Sequence, residues 1–304
     1  MNFDLYFAGT QKKSVMNHIR DTELPKLYSY VDDKKLIDEY RLGGDKRGKL
    51  FIDSGAFSVA HSGITVDIDE YINYINNTDR VAIFAQLDII PFPVLNTETA
   101  KDSAERSWTN YCYMMERVLP ERRDSVIPVF HFGEDVKYLE RILNTEHFGK
   151  LPPYIGIGGR HGVSTEAQRQ YFRSIFDIIK KSKNPNVKVH AFGMTTLSLL
   201  EEFPFTSADS TSWLKTAVYG SIMTTGFGLV NVSDVSAGKK NNIHNASPEM
   251  MTGLLQEITE RGFTLEGLKK NYEDRLLYNI TTMRKWAESY VCTYDKSFKT
   301  NKLF

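Results

Sequence analysis

What is scarce in this chain of 304 residues narrows its nature first. It has two cysteines, Cys112 and Cys292, far apart and without a Cys-x-x-Cys pair, which argues against a disulfide framework and a cysteine-rich zinc site. It has no net charge, since Lys+Arg and Asp+Glu each number 38. A nucleic-acid partner therefore cannot be inferred from overall charge and would need a local basic face. No apolar run approaches the length of a membrane span. The N-terminal MNFDLYFAGT reads as a strand rather than a signal peptide, because a charge interrupts its short apolar stretch. Internal repeats, low-complexity linkers and His-x-His pairs are missing too. No Gly-x-Gly-x-x-Gly follows the first strand, which weighs against a dinucleotide-binding sheet. The expectation is a cytoplasmic protein of a reducing compartment, with no membrane partner.

What is present is an ordinary globular composition, 41% hydrophobic and 25% charged, with 18 Phe and 16 Tyr to fill a core. Short apolar runs recur, each ending in a polar or glycine-rich tip and followed by a helical pattern. KLFID ends at Asp53, VAIFAQLD at Asp88, VIPVFH at His131, YIGIGG at Gly158 and Gly159, VKVHAFG at Gly193, and TSAD at Asp209. Continuous apolar runs suit strands buried on both faces of a parallel sheet. Between them, Trp108, Cys112, Met115, Val118 and Leu119 share a helical face, as do Phe172, Ile175, Phe176 and Ile179. Ser247 with Pro248 opens a C-terminal helix carrying Met251, Leu254, Leu255 and Ile258. The alternation predicts a parallel α/β fold, either a closed barrel or an open doubly wound sheet. Asp53, Asp88, His131 and Asp209 all stand at the C-terminal end of a predicted strand, where barrel enzymes build their active sites. Any one carboxylate there is commonly a helix cap or turn residue; four such tips are harder to dismiss.

These segments, taken in order, resemble the tRNA-guanine transglycosylases. IDSGAFSVA (52–60) is similar to that family's Asp-Ser-Gly-Gly-Phe-Gln turn, with Ala56 and Ser58 as departures. QLDIIPFP matches Asp88 to the family's base-recognising aspartate, and VFHFG puts His131 where the family has glutamine. YIGIGG resembles the loop whose backbone contacts the base, VHAFGMTT brings Phe192 to the position that packs on it, and SADSTSW brings Asp209 onto the nucleophile. The resemblance runs from residue 50 to about 215. It implies a single (β/α)8 TIM barrel over 1–304, with C-terminal helices from about 247. The family's zinc subdomain is absent, so no cofactor or metal is expected. A compact chain of this kind looks like the phage-type relatives that insert 7-deazaguanines into DNA, which would set it in the host cytoplasm.

The implied chemistry is retaining glycosyl transfer: Asp209 attacks C1′, and Asp53 serves as acid and then base. Asp88 would accept from the guanine-like edge and His131 would donate to O6 or a 7-substituent, although a structural role suits His131 equally. Ser54, Gly158, Gly159 and Gly193 would line the base, and Phe57 and Phe192 would sandwich it. Arg160 and Lys215 would meet nucleic acid, with the pair Lys239 and Lys240 reading more simply as solvated surface. Expected partners are nucleic acid, DNA ahead of tRNA, and a free 7-deazaguanine base, with a homodimer admitted. Two other readings compete: a non-catalytic nucleic-acid-binding subunit of the same fold, and a metal-dependent barrel hydrolase using Asp53, Asp88, His131 and Asp209 as ligands.

Overall fold

The structure, a computed structural model, describes residues 3–9, 12–42, 48–78, 82–90, 97–159, 162–194, 196–233 and 241–294. Its frame is a nine-stranded, wholly parallel sheet. The strands are β1 (Asp4–Phe7), β2 (Lys26–Ser29), β3 (Leu50–Asp53), β4 (Ile83–Ala85), β5 (Val126–Ile127), β6 (Val129–His131), β7 (Tyr154–Gly158), β8 (Lys188–Phe192) and β9 (Ser207–Ser210). The order β5-β4-β3-β2-β1-β9-β8-β7-β6 begins and ends on strands that are neighbours in the chain, separated only by Pro128. Proline has no N–H to give the ladder. One extended run, 126–131, therefore pairs with β4 through its first half and with β7 through its second. The sheet so wraps into a TIM-like barrel of eight staves, and the open-sheet alternative falls away.

Helices cover the outside. They include α1 (Lys13–Asp21), α2 (Tyr30–Leu42), α3 (Ala56–Ser62), α4 (Ile68–Asn76), α5 (Thr97–Arg117), α6 (Val136–Asn144), α7 (Thr165–Lys181), α8 (Leu197–Glu202) and α9 (Ser212–Val218). After α9 come a hairpin, β10 (Ser221–Thr224) with β11 (Gly228–Asn231), and then α10 (Pro248–Glu260), α11 (Leu265–Lys270) and α12 (Tyr272–Glu288). Ser247 caps α10 as expected, accepting from the Met250 N–H, with Pro248 in the first turn. Two helical faces are rotated from the expected ones. On α5, Tyr111, Met114 and Met115 are buried, and just beyond its end Val118 is buried while Leu119 is exposed; on α10, Leu254 and Ile258 are buried while Leu255 faces outward.

Period-two alternation along the strands separates two cores. Ile52, Phe130, Ile155, Ile157, Ala191 and Ala208 point out toward the helices. Tyr6, Leu27, Phe51, Ala85, Ile127, Val129 and Tyr154 point in and fill the barrel. The same alternation turns Asp53, His131, Phe192 and Asp209 inward at the top of that filling. No helix among the described residues is long and apolar enough to cross a membrane.

Candidate active site at the barrel mouth

Asp209, two residues along β9 from inward Ser207, is buried. Its Oδ1 accepts from the Gly193 N–H at 2.7 Å and from His190 Nε2 at 3.3 Å. Gly193 can present its N–H there because it takes φ +62°, a left-handed conformation that favours glycine. The β9 tip is tied to the β1 tip: Ala8 N–H donates to Ser210 O, and the buried Trp213 indole donates to Ala8 O. Below it Lys26, wholly buried, donates its three N–H to Phe7 O, Gly9 O and Leu27 O at 2.7–2.8 Å. Burial pulls the Lys26 ammonium down to about 7, against the opposing pull of Asp33 and Asp209. Three acceptors matched to three donors are what a buried ammonium requires.

Asp53 ends β3 and remains partly accessible. Burial, joined by the charges of Asp88 and Asp209, pushes its carboxyl up to about 7; a hydrogen bond from Gly55 N–H and the nearby His131 oppose that only partly. Gly55, at φ +86°, would put a Cβ 2.6 Å from the Val31 side chain, so the turn after Asp53 demands glycine.

Asp88 lies just beyond β4, its backbone N–H closing a turn onto Gln86 O. Ser54 Oγ donates to its Oδ1 at 2.8 Å and His131 Nε2 to its Oδ2 at 2.7 Å. Each oxygen thus already holds one protein donor, which leaves one further lone pair apiece for a ligand edge. His131 is buried, which would lower its pKa, but the hydrogen bond and charge of Asp88, with Glu134 and Asp53, outweigh burial and raise it. The turn that follows has Gly133 at φ +92° and brings Glu134 back to the tip of β6, where its N–H donates to His131 O. There Glu134 Oε2 accepts the His131 N–H at 3.0 Å, and burial pushes its carboxyl up to about 7.

The glycines of β7 serve differently from what the sequence suggested. A Cβ on Gly158 would lie 2.5 Å from His131 Nδ1, and one on Gly156 would lie 2.3 Å from the Phe192 ring. Both face inward as floor for those two rings, whereas Gly159 is exposed beyond the strand. Phe192 packs edge-on against Phe51 and His190. Phe57 stands on α3, 59% exposed, its ring tilted against His61 with centroids 4.0 Å apart. No ring contact joins it to Phe192 among the described residues, and a base held between the two rings would itself keep them apart. Lys215 is exposed on α9. Arg160, Lys239 and Lys240 lie outside the described residues.

The structure adds Lys26, Glu134, Gly156 and His190 to the set read from sequence. His190 was detectable, since two residues before inward Phe192 on the same strand must also point inward. Among the described residues no three His, Cys, Asp or Glu side chains converge as a metal-ligating group, which does not favour the hydrolase reading. A separate cavity of about 540 Å³, lined by Asp4, Thr22, Glu23, Arg284 and Tyr290 among others, opens at the opposite, N-terminal end of the strands. No protein-family model and no curated protein matches the chain.

Proposed function

We propose that this protein exchanges a guanine base in a nucleic acid, DNA ahead of tRNA, for a 7-deazaguanine. The observation that carries the reading is the pairing of Asp209 and Asp53 at the barrel mouth in unlike environments. Asp209 is fixed by donors at one oxygen, while Asp53 is raised to about 7, so one proton moves on and off it near neutrality. In the exchange Asp209 attacks C1′, the glycosidic bond breaks, and Asp53 gives its proton to the departing guanine. The incoming base then loses its N9 proton to Asp53, and N9 attacks C1′ to displace the Asp209 carboxylate. Asp53 ends with the proton with which it began. Asp88 and His131 line the same mouth as acceptor and donor for the base, and Phe192 is a flat apolar wall beside them. The 7-deaza character of the incoming base rests on the resemblance of the motifs from Asp53 to Asp209. Reaching C1′ requires the nucleotide to leave its stack.

The direct test incubates the protein with radiolabelled guanine and either DNA or tRNA and follows which polymer takes up label. Asp209→Ala is expected to abolish that uptake while leaving the melting transition in place. Uptake at the wild-type rate in this variant would remove the covalent mechanism.

A further inference from the structure

Beneath Asp209, a chain of polar side chains runs through the otherwise apolar barrel. The Tyr154 hydroxyl meets Ser207 Oγ, Ser207 Oγ meets His190 Nδ1, and His190 Nε2 meets Asp209 Oδ1. All four residues are buried, His190 and Ser207 completely. They come from β7, β8 and β9, whose inward positions at this level are in register: Gly156 pairs with His190, and His190 with Ser207. Phe51 lies against one face of the imidazole at 4.4 Å, with Tyr6 and Phe192 at its edges. The charged or titratable groups against it are Asp209, Tyr6 and, through Ser207, Tyr154. Burial lowers the pKa of His190 more than Asp209 raises it, so the ring is neutral.

A neutral imidazole carries one N–H, and an ionised carboxylate can only accept. The hydrogen of His190 must then sit on Nε2, facing Asp209. Nδ1 must accept, so Ser207 donates to it, and Ser207 in turn accepts from Tyr154. Asp209 at one ring nitrogen and Ser207 at the other therefore favour the same tautomer.

We infer that Tyr154 and Ser207 are positioning residues that hold His190 as the Nε2–H tautomer. In that form, with the Gly193 N–H, it pins Oδ1 of Asp209 and leaves Oδ2 to attack. The inference rests on Asp209 being the nucleophile. A merely space-filling histidine would need neither a fixed tautomer nor a fully buried partner chain, and burying three linked polar groups is costly unless all are satisfied.

The experiment has a readout independent of activity. Nitrogen NMR on protein labelled in its histidines reports which His190 nitrogen carries the hydrogen and whether the ring titrates, with His190→Gln identifying the resonance by its loss. Wild type is expected to hold one tautomer, Nε2–H, unchanged from pH 5.5 to pH 8 (roughly a unit or more either side of the ordinary histidine pKa). Ser207→Ala, which leaves Nδ1 without its donor, is expected to weaken that preference, Asp209 alone remaining to hold it. Its kcat for base exchange should fall about 10- to 100-fold with KM for the polymer unchanged, the effect of losing one hydrogen bond to a charged group. His190→Gln keeps a donor at the Nε2 position and is expected to retain more activity than His190→Phe. Thermal melts on each variant identify any that fail to fold, and Tyr154→Phe, the smallest change, then stands in for Ser207→Ala. A wild-type His190 that is Nδ1–H, or that titrates as an exposed histidine, would overturn the inference even if exchange is robust. Absence of exchange on any nucleic acid, with the tautomer as described, would instead overturn the functional reading.

Discussion

At the scale of the residue, what matters is how differently three aspartates are solvated. Asp53 is raised from 3.8 to about 7 by burial and then by Asp88 and Asp209. Between those values the folded chain keeps a proton that the unfolded chain has released, so this residue's contribution to stability is lost as pH rises through that window. Asn at this position has no such proton to lose. Asp53→Asn is therefore expected to abolish exchange yet to melt at or above wild type at pH 8, with the two proteins converging near pH 4. Melts across that range check it, and a variant less stable than wild type at pH 8 would show the carboxylate to be structurally needed. Asp88 gives a second expectation. Its two oxygens are oriented by Ser54 and His131, so the remaining lone pairs are held as a fixed pair. Asp88→Asn replaces one acceptor by a donor and is expected to cost roughly 1.5–3 kcal/mol of affinity for the free base, about one to two orders of magnitude. Binding of an oligonucleotide, which draws mainly on phosphate contacts, should hardly change. Paired titrations decide, and unchanged base affinity would make Asp88 a turn residue only.

At the scale of the element, the strands that announced themselves did so because they are buried on both faces. KLFID, VIPVFH and YIGIGG read as strands because their inward and outward positions are largely apolar until the tip, while VKVHAFG does so on its outward face and carries His190 inward; the polar tips are where the chain meets the mouth. Strand β2, KLYS, was not legible. It opens on a lysine, and nothing in sequence tells that Lys26 will be buried with three backbone carbonyls around its ammonium. The site was legible as a list of tips, but its internal bonds were not. Asp88, expected to wait for a base, is already held by neighbours 34 and 43 residues away in the chain. The glycines of β7 are the clearest case of a right segment with a different role, since their missing side chains make room for His131 and Phe192. Gly158→Ala tests this. A methyl 2.5 Å from His131 Nδ1 cannot be accommodated without moving a ring that is also bonded to Asp88. The variant is expected to lose about 1–3 kcal/mol of stability and to bind free base more weakly. An unchanged melt and unchanged affinity would show the ring free to retreat.

At the scale of the whole molecule, the region after Asp209 decides whether the barrel stands alone. Helix α12 is buried almost all round, at Arg275, Leu276, Tyr278, Asn279, Ile280, Thr282 and Met283, the mark of an element enclosed by neighbours rather than lying on a surface. Leu276, Ile280 and Met283 join the core outside the sheet, together with Phe7 of β1 and Trp213 of α9. Tyr278 points the other way, into the separate cluster of the hairpin with α10 and α11. Asn279 bridges the two, donating to Trp213 O at 3.1 Å and accepting the Met223 N–H at 2.8 Å. Trp213 in turn holds the β1 tip beside Asp209. A chain ending at Asn271 would lose all of this. Four buried apolar or aromatic side chains at roughly 1.5–3 kcal/mol each come to about 6–12 kcal/mol, as much as the whole stability of a typical domain. The truncated chain is therefore expected to show no cooperative melt and to be cut readily by protease within the barrel, although every strand and all of Asp53, Asp88, His131 and Asp209 remain in it. A cooperative transition near that of the full chain would instead make the C-terminal helices a dispensable addition. It would also confine the fold's stability to the segment in which its candidate chemistry lies.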